Sequence, residues 1–197
     1  SFGGDQCQSA SDRVWVMRIL VTGCEGQVGR AIVRVSEKCS IAAVGKNRHD
    51  LDISDLKNVK SVLSGLRPNC VINAAGYTAV DAAEMDGNRA FAINEGGVKH
   101  LALQCAEMNI PLVHLSSDYV FDGKKDSAYV EDDKAKPLSI YGESKLAGEK
   151  AALIFCPKTI IIRTSWVFSQ HGTNFVKTML MLGLERELLS VVTDQFG

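Results

Sequence analysis

Tyr141 and Lys145 stand four residues apart in Tyr141-Gly142-Glu143-Ser144-Lys145, so on a helix a phenol and an ammonium share one face. A cation beside a phenol lowers the phenol pKa and makes proton exchange with a carbonyl oxygen feasible near neutrality. That spacing is common by chance. It gains weight from Leu115-Ser116-Ser117-Asp118-Tyr119, where hydroxyls follow an apolar run of strand type. Ser117, Tyr141 and Lys145 together suit carbonyl reduction coupled to hydride transfer. A second set lies in Val21-Thr22-Gly23-Cys24-Glu25-Gly26-Gln27-Val28-Gly29, with glycines at three-residue intervals between an apolar run and a helical pattern. Gly23, Gly26 and Gly29 let a backbone turn approach a pyrophosphate, while the N–H groups and dipole of the helix start attract it. A merely tight turn is the weaker reading at that place. Where NAD-preferring proteins carry an acid, the chain has Val44-Gly45-Lys46-Asn47-Arg48. Lys46 and Arg48 suit a 2′-phosphate, favouring NADPH with NADH still admissible, although surface charges are more often simply solvated. Asp52 and Ile53 can meet the adenine edge; equally, Asp52 can cap a helix starting near Ser54.

The elements that must position these groups alternate along the chain. Apolar runs at Met17 to Val21, Ile41 to Val44, Cys70 to Asn73, Leu112 to Leu115 and Thr159 to Ile162 read as buried strands. Helices are expected at Gln27 to Glu37, Ser54 to Leu66, Asn88 to Met108, Tyr141 to Ile154 and Asn174 to Leu182. Strands this apolar suit a parallel sheet covered on both faces, and right-handed crossovers give an α/β, doubly wound, Rossmann-like fold whose ligands bind beyond the strands' carboxyl ends. Residues 1–16 read as an N-terminal tail, with Met17 a natural start, and the domain as residues 17–197. The charged run Lys124 to Lys136 reads as a solvated loop, and the Leu and Met residues of Thr178 to Leu184 as a buried helix stripe.

Composition excludes several other classes. The 197 residues are 46% hydrophobic and 23% charged, and 22 Lys plus Arg against 23 Asp plus Glu leave a formal charge of -1. Such a balance gives no basic surplus for nucleic acid or an anionic membrane, and no apolar run approaches a membrane span; a cytoplasmic protein is expected. The six cysteines show no paired spacing, and His49, His100, His114 and His171 fall in no ligand pattern, so neither metal nor disulfide framework is expected.

The motifs Thr22-Gly23-x-x-Gly26-x-x-Gly29, Asn73-Ala74-Ala75-Gly76, Ser117 and Tyr141-x-x-x-Lys145 resemble the extended short-chain dehydrogenase/reductase superfamily. Longer strings narrow this: Val71 to Asp81, Ser116 to Gly123, Tyr141 to Glu149, Arg163 to Phe168, Asn174-Phe175 and Asp194-Gln195-Phe196-Gly197 resemble the dTDP-4-dehydrorhamnose reductases. The resemblance implies NAD(P)H-dependent reduction of the 4-keto group of dTDP-6-deoxy-L-lyxo-4-hexulose to dTDP-L-rhamnose. By position, Tyr141 would donate the proton, Lys145 would bind the nicotinamide ribose, and Ser117 would hold the reacting oxygen. Gly26, Gln27, Val28, Asp52, Ile53, Gly76, Tyr77 and Thr78 would meet the cofactor. Asp118, Tyr119, Trp166 and Asn174 would join Ser117 around the dTDP-sugar, with a homodimer left open as the assembly. From pattern alone Trp166 also suits a core position. Ser169 departs from the family's Gly, Ser117 from its commoner Thr, and the smaller C-terminal substrate-binding region is expected to be largely missing. A nucleotide-sugar epimerase, or a non-catalytic Rossmann subunit resembling the methionine adenosyltransferase β subunit, is the alternative. The intact Ser117, Tyr141 and Lys145 speak against the second, and Tyr119 after Asp118 disfavours a dehydratase.

Overall fold

Aliphatic runs without polar alternation form five parallel strands, buried where helices cover them. In the computed structural model, which describes residues 17–39 and 41–191, these are β1 (Arg18–Thr22), β2 (Ala42–Lys46), β3 (Cys70–Asn73), β4 (Leu112–Ser117) and β5 (Thr159–Thr164). The N-terminal tail (residues 1–16) and the Asp194-Gln195-Phe196-Gly197 string lie outside the described residues. The strand order is β2-β1-β3-β4-β5, all pairs parallel. The chain leaves β1 towards one edge and returns across it to β3, so a crevice opens between the carboxyl ends of β1 and β3. Pairing carries β4 and β5 beyond their apolar stretches, through Ser116↔Arg163 and Ser117↔Thr164, which sets Ser117 at the end of its strand.

The helices are α1 (Gln27–Lys38), α2 (Leu56–Leu66), α3 (Val80–Ala83), α4 (Gly87–Phe91), α5 (Val98–Glu107), α6 (Ile140–Phe155) and α7 (Phe175–Glu185). Leu20, Val71 and Leu112 of the sheet pack with Val59 and Leu63 of α2, Val98 and Leu101 of α5 and Ala152 of α6 in the main core. Two boundaries differ from expectation for identifiable reasons. Asp55, not Asp52, caps α2, accepting from the N–H groups of Lys57 and Asn58, so the helix starts at Leu56. The expected helix over 88–108 divides into α4, a π-turn at Ala92–Gly97 and α5. Gly97 is pressed so closely on Ile53 that a Cβ would lie 2.6 Å from its Cγ1, and the widened turn carries Asn94 into the interior. The expected buried stripe on α7 is overturned: the helix buries no residue among those described, and Leu180, Met181 and Leu184 are exposed because no described element packs over them.

Candidate active site

The turn after β1 is shaped by three glycines with distinct tasks. Gly23 takes φ +63, and a Cβ there would lie 2.7 Å from both Ala74 O and Ala75 N, so the loops after β1 and β3 touch backbone to backbone at the crevice. Gly29 lets α1 close on the turn, since its Cβ would fall 2.2 Å from Gly23 O. Gly26 is the N-cap and offers no side chain, while the first helical bond runs from Arg30 N to Gly26 O at 3.0 Å. The N–H groups of Gln27, Val28 and Gly29 precede that bond and point out of the helix start, where the dipole favours an anion. This is a cradle that a side chain would fill, and it fits a dinucleotide's pyrophosphate. Val28 turns its side chain along α1 with Ala31 and Val35, leaving its backbone to the turn.

The adenosine end is less closed. Cys24 N donates to Lys46 O at 3.2 Å, which brings the last residue of β2 beside the turn. Arg48 is exposed and 3.9 Å from Asp52, a loose surface pair. Asp52 accepts from both Ser54 N (3.0 Å) and Ser54 Oγ (2.6 Å), and these bonds hold its carboxyl below the usual range. Ile53 turns its side chain into the core and its carbonyl accepts from His100 Nδ1 at 3.0 Å. Glu25 is exposed, and its carboxylate accepts from Asn47 Nδ2 at 3.0 Å.

The loop after β3 is held from behind by Asn94. Its Oδ1 accepts from Tyr77 N (2.8 Å), and its Nδ2 donates to Tyr77 O (3.1 Å) and Ser144 Oγ (2.9 Å). Ser144 in turn donates to Tyr141 O at 2.7 Å, so Gly76, Tyr77 and the exposed Thr78 are tied to the helix bearing Tyr141 and Lys145. Gly148 permits this approach, since its Cβ would lie 2.0 Å from Asn94 O. Asn94 is absent from the residues that the sequence spacing singles out; the paired glycines at 96 and 97 inside a helical pattern are the available signal for it.

At the ends of β4 and α6, Ser117, Tyr141 and Lys145 converge, all less than a tenth exposed. Ser139 caps α6 by accepting from Gly142 N, and Gly142 lies so close to Tyr119 that a Cβ would stand 2.2 Å from its carbonyl oxygen. That contact docks the start of α6 on the turn after Ser117. Lys145 Nζ donates to Leu115 O at 2.7 Å. Ser117 Oγ donates to Asp118 Oδ1 at 3.0 Å and accepts from Tyr119 N at 3.2 Å. The Tyr119 ring meets Tyr141 edge to face, with centroids 5.4 Å apart.

The electrostatics differ from the expected lowering of the phenol by lysine. Burial pushes the Tyr141 phenol up, the neighbouring Ser117 hydroxyl works against this, and Asp118 and Tyr119 add to the upward push. Burial pulls Lys145 down to about 8, opposed by the charge of Glu149. Desolvation is thus the largest influence on both groups.

The remaining candidates lie around this centre. Trp166 follows β5 with φ +51 and is 52% exposed, which excludes the core position its pattern allowed; its ring meets Phe175 edge to face at 5.6 Å. Asn174 caps α7 through Lys177 N (3.0 Å) and donates to Gln27 Oε1 (3.0 Å) and Ser169 O (2.8 Å). Its polar atoms are therefore engaged in holding the 169–174 segment against the glycine turn, and Ser169 shares in that contact through Gln27 at 3.3 Å.

A family model described as "RmlD substrate binding domain" matches residues 17–197. The chain belongs to this family. Among its relatives are the dTDP-4-dehydrorhamnose reductases of Aggregatibacter actinomycetemcomitans, 43% identical over 181 residues, and of Escherichia coli K12, 42% identical over 184 residues. These alignments cover 91% and 92% of this chain, and the chain spans 62% of the length of each relative. The crystal structure of dTDP-4-dehydrorhamnose reductase from Bacillus anthracis in complex with NADP superposes with a TM-score of 0.88 at 38% identity, covering 91% of this chain and 64% of that one. The parallel sheet thus matches that of the Bacillus anthracis enzyme.

Proposed function

We propose that this chain is the cofactor-binding and reacting part of an NADPH-dependent reductase that converts the 4-keto group of dTDP-6-deoxy-L-lyxo-4-hexulose to the alcohol of dTDP-L-rhamnose. The observation that carries this reading is the convergence of Ser117, Tyr141 and Lys145 at strand ends beside the crevice whose floor is the Gly23 turn. The relatives' names and the NADP bound to the Bacillus anthracis enzyme support the same choice.

A nicotinamide cofactor, when bound, would supply the hydride for the new C–H bond at the sugar's C4. The helix start at Gln27, Val28 and Gly29 would hold the pyrophosphate, and Lys46 and Arg48 would meet a 2′-phosphate. Asp52, Ile53 and Gly76-Tyr77-Thr78 border the nucleoside portions. Ser117 donates a hydrogen bond to the ketone oxygen, and Tyr141 delivers the proton that makes it a hydroxyl. A phenol raised by burial is fully protonated at neutral pH, which suits the donor side of that transfer. Lys145 holds the nicotinamide ribose and stabilises the phenolate left after donation. Asp118, Tyr119 and the exposed ring of Trp166 border the sugar, with Asn174 acting through the segment it caps.

The test is NADPH consumption by the full-length protein with the dTDP-4-keto sugar. Turnover that needs Tyr141 supports the proposal; cofactor binding without turnover points to a regulatory Rossmann subunit instead.

A further inference from the structure

Glu149 is one helical turn beyond Lys145 on α6 and is buried at 3% exposure, a costly place for a carboxylate. Arg163 from β5 satisfies both of its oxygens, Nε to Oε1 at 2.9 Å and Nη2 to Oε2 at 2.7 Å. A side-on bidentate pair of this kind fixes a carboxylate in direction as well as in charge. The guanidinium is anchored in turn, with Cζ 4.8 Å from the centroid of Phe121, whose ring stacks on Tyr129 at 4.0 Å. Arg163 is the more exposed partner, 26% against 4% for the side chains. The anion therefore lies in the interior along α6, and the cation lies towards solvent.

Lys145 has few other charges to answer. On α6 itself its inner-face neighbours are Tyr141 and Glu149. From β4 it faces His114, which burial holds neutral, at about 3. Asp118 and Tyr119 of the following turn act on the Tyr141 phenol. Glu95 of the π-turn and Lys99 of α5 line the outer side of α6 with Glu143 and Lys150. Arg89 of α4 pairs with Asp86 at 3.8 Å, and Asp81 of α3 is exposed.

We propose that Glu149, locked in place by Arg163, is the fixed counter-charge that keeps Lys145 an ammonium inside the site, making the Glu149–Arg163 pair a positioning element for the Tyr141–Lys145 machinery. Burial alone drives a lysine towards its neutral form, and the Glu149 charge is what opposes this here. The consequence for catalysis rests on the reductase reading. The charge-setting itself does not, because it is measurable on the lysine without substrate.

The test is a titration of Lys145 by NMR on selectively labelled protein, in wild type, E149Q and R163Q, with circular dichroism as the check on folding. E149Q is expected to move the Lys145 midpoint from about 8 down by one unit or more. R163Q strips the buried carboxylate of the partner of both its oxygens, so Glu149 is driven to protonate or to leave its place, and the midpoint is expected to fall there too, by no more than in E149Q. A purely structural ion pair, once broken, admits water and moves the lysine up or not at all. A fall in both variants, that in E149Q at least as large, supports the proposal; a midpoint in E149Q that is unshifted or raised overturns it. If E149Q does not fold, R163Q decides alone: a fall supports the assignment, and a rise or no change overturns it. The pH dependence of NADPH affinity in the same variants is the second readout. Failure of cofactor binding with the titration shift intact counts against the reductase reading and leaves the counter-charge role standing.

Discussion

Lys145 Nζ lies 2.7 Å from the carbonyl oxygen of Leu115, and Leu115 is two residues before Ser117 on the same strand. The strand thus acts as a ruler, because two residues of extended chain span about 6.6 Å whatever the surrounding side chains do. The ammonium is held at one mark, the serine hydroxyl at the next, and the Tyr141 phenol is delivered over them by α6. All of these groups stand on β4 and α6, so their spacing is a property of one strand, one helix and the Tyr119–Gly142 contact that docks them. A reacting carbonyl can be met by groups already in place.

The first prediction follows from that arrangement. Tyr141→Phe removes only the phenolic hydroxyl and keeps the ring that packs edge to face on Tyr119. In the full-length protein kcat for the dTDP-4-keto sugar is expected to fall by about 10²-fold or more, the usual share of a positioned general acid. NADPH affinity, measured by fluorescence titration, should remain near wild type. Undiminished turnover in the variant removes Tyr141 from the mechanism.

Two glycines predict stability changes of opposite sign. At Gly29 a Cβ would meet Gly23 O at 2.2 Å and Cys24 Cα at 2.8 Å, both backbone atoms, so Gly29→Ala must open the turn. The expected loss is about 1–3 kcal/mol, with cofactor affinity lost alongside. Gly65, on the exposed side of α2, meets nothing within 4 Å, so Gly65→Ala should gain about 0.5–1 kcal/mol through helix propensity and a less free unfolded chain. Urea denaturation of both variants beside wild type measures the contrast, and equal signs would refute the turn geometry.

Much of this was legible in the residues themselves. Strand positions followed from the aliphatic runs, and the crevice followed from glycines placed directly after the first of them. The polar framework was hidden for a physical reason. Asn94 reaches Tyr77 and Ser144 only because a π-turn rotates it inward, and such a turn leaves a helical pattern almost unaltered. Thr22, Asn73 and His114 form a buried ladder only because β1, β3 and β4 are paired in that register. Pairing of distant strands is invisible to local spacing. Asn174, read as a substrate residue, carries a helix cap that its Asn-Phe context also permits.

His114 gives a pH prediction whose sign follows from burial. Asn73 Nδ2 donates to its Nδ1 at 3.0 Å, leaving Nε2 protonated and buried without a protein partner among the described residues. Burial, with the Lys145 charge adding, pulls the imidazole to about 3, whereas the unfolded chain titrates near the ordinary 6.5. Between those values the unfolded state binds the extra proton, so stability falls as pH drops through this window and is fully present above it. His114→Gln keeps a polar contact and removes the titration. Its urea midpoint should therefore depend less on pH between 6.5 and 3 than that of wild type. Parallel pH profiles in the two proteins would contradict a neutral buried histidine.

Cofactor choice supplies the last prediction. Lys46 ends β2 beside the glycine turn, where Cys24 N reaches its carbonyl, and Arg48 is exposed, in loose contact with Asp52 at 3.9 Å. Among the described residues neither cation has a strong internal partner, so both can turn to a 2′-phosphate at little cost. A hydrogen bond to a charged group contributes about 1.5–3 kcal/mol, and side chains open to solvent belong at the low end of that range. Lys46→Ala and Arg48→Ala are each expected to weaken NADPH binding by about 10-fold and NADH binding by much less, since NADH carries no phosphate there. Raising the ionic strength should shrink the NADPH penalty, as screening already weakens the wild-type contact. An equal loss for both nucleotides would mean that these residues support the turn rather than read the phosphate, and Glu25, held at the same edge by Asn47, would become the residue to test for preference.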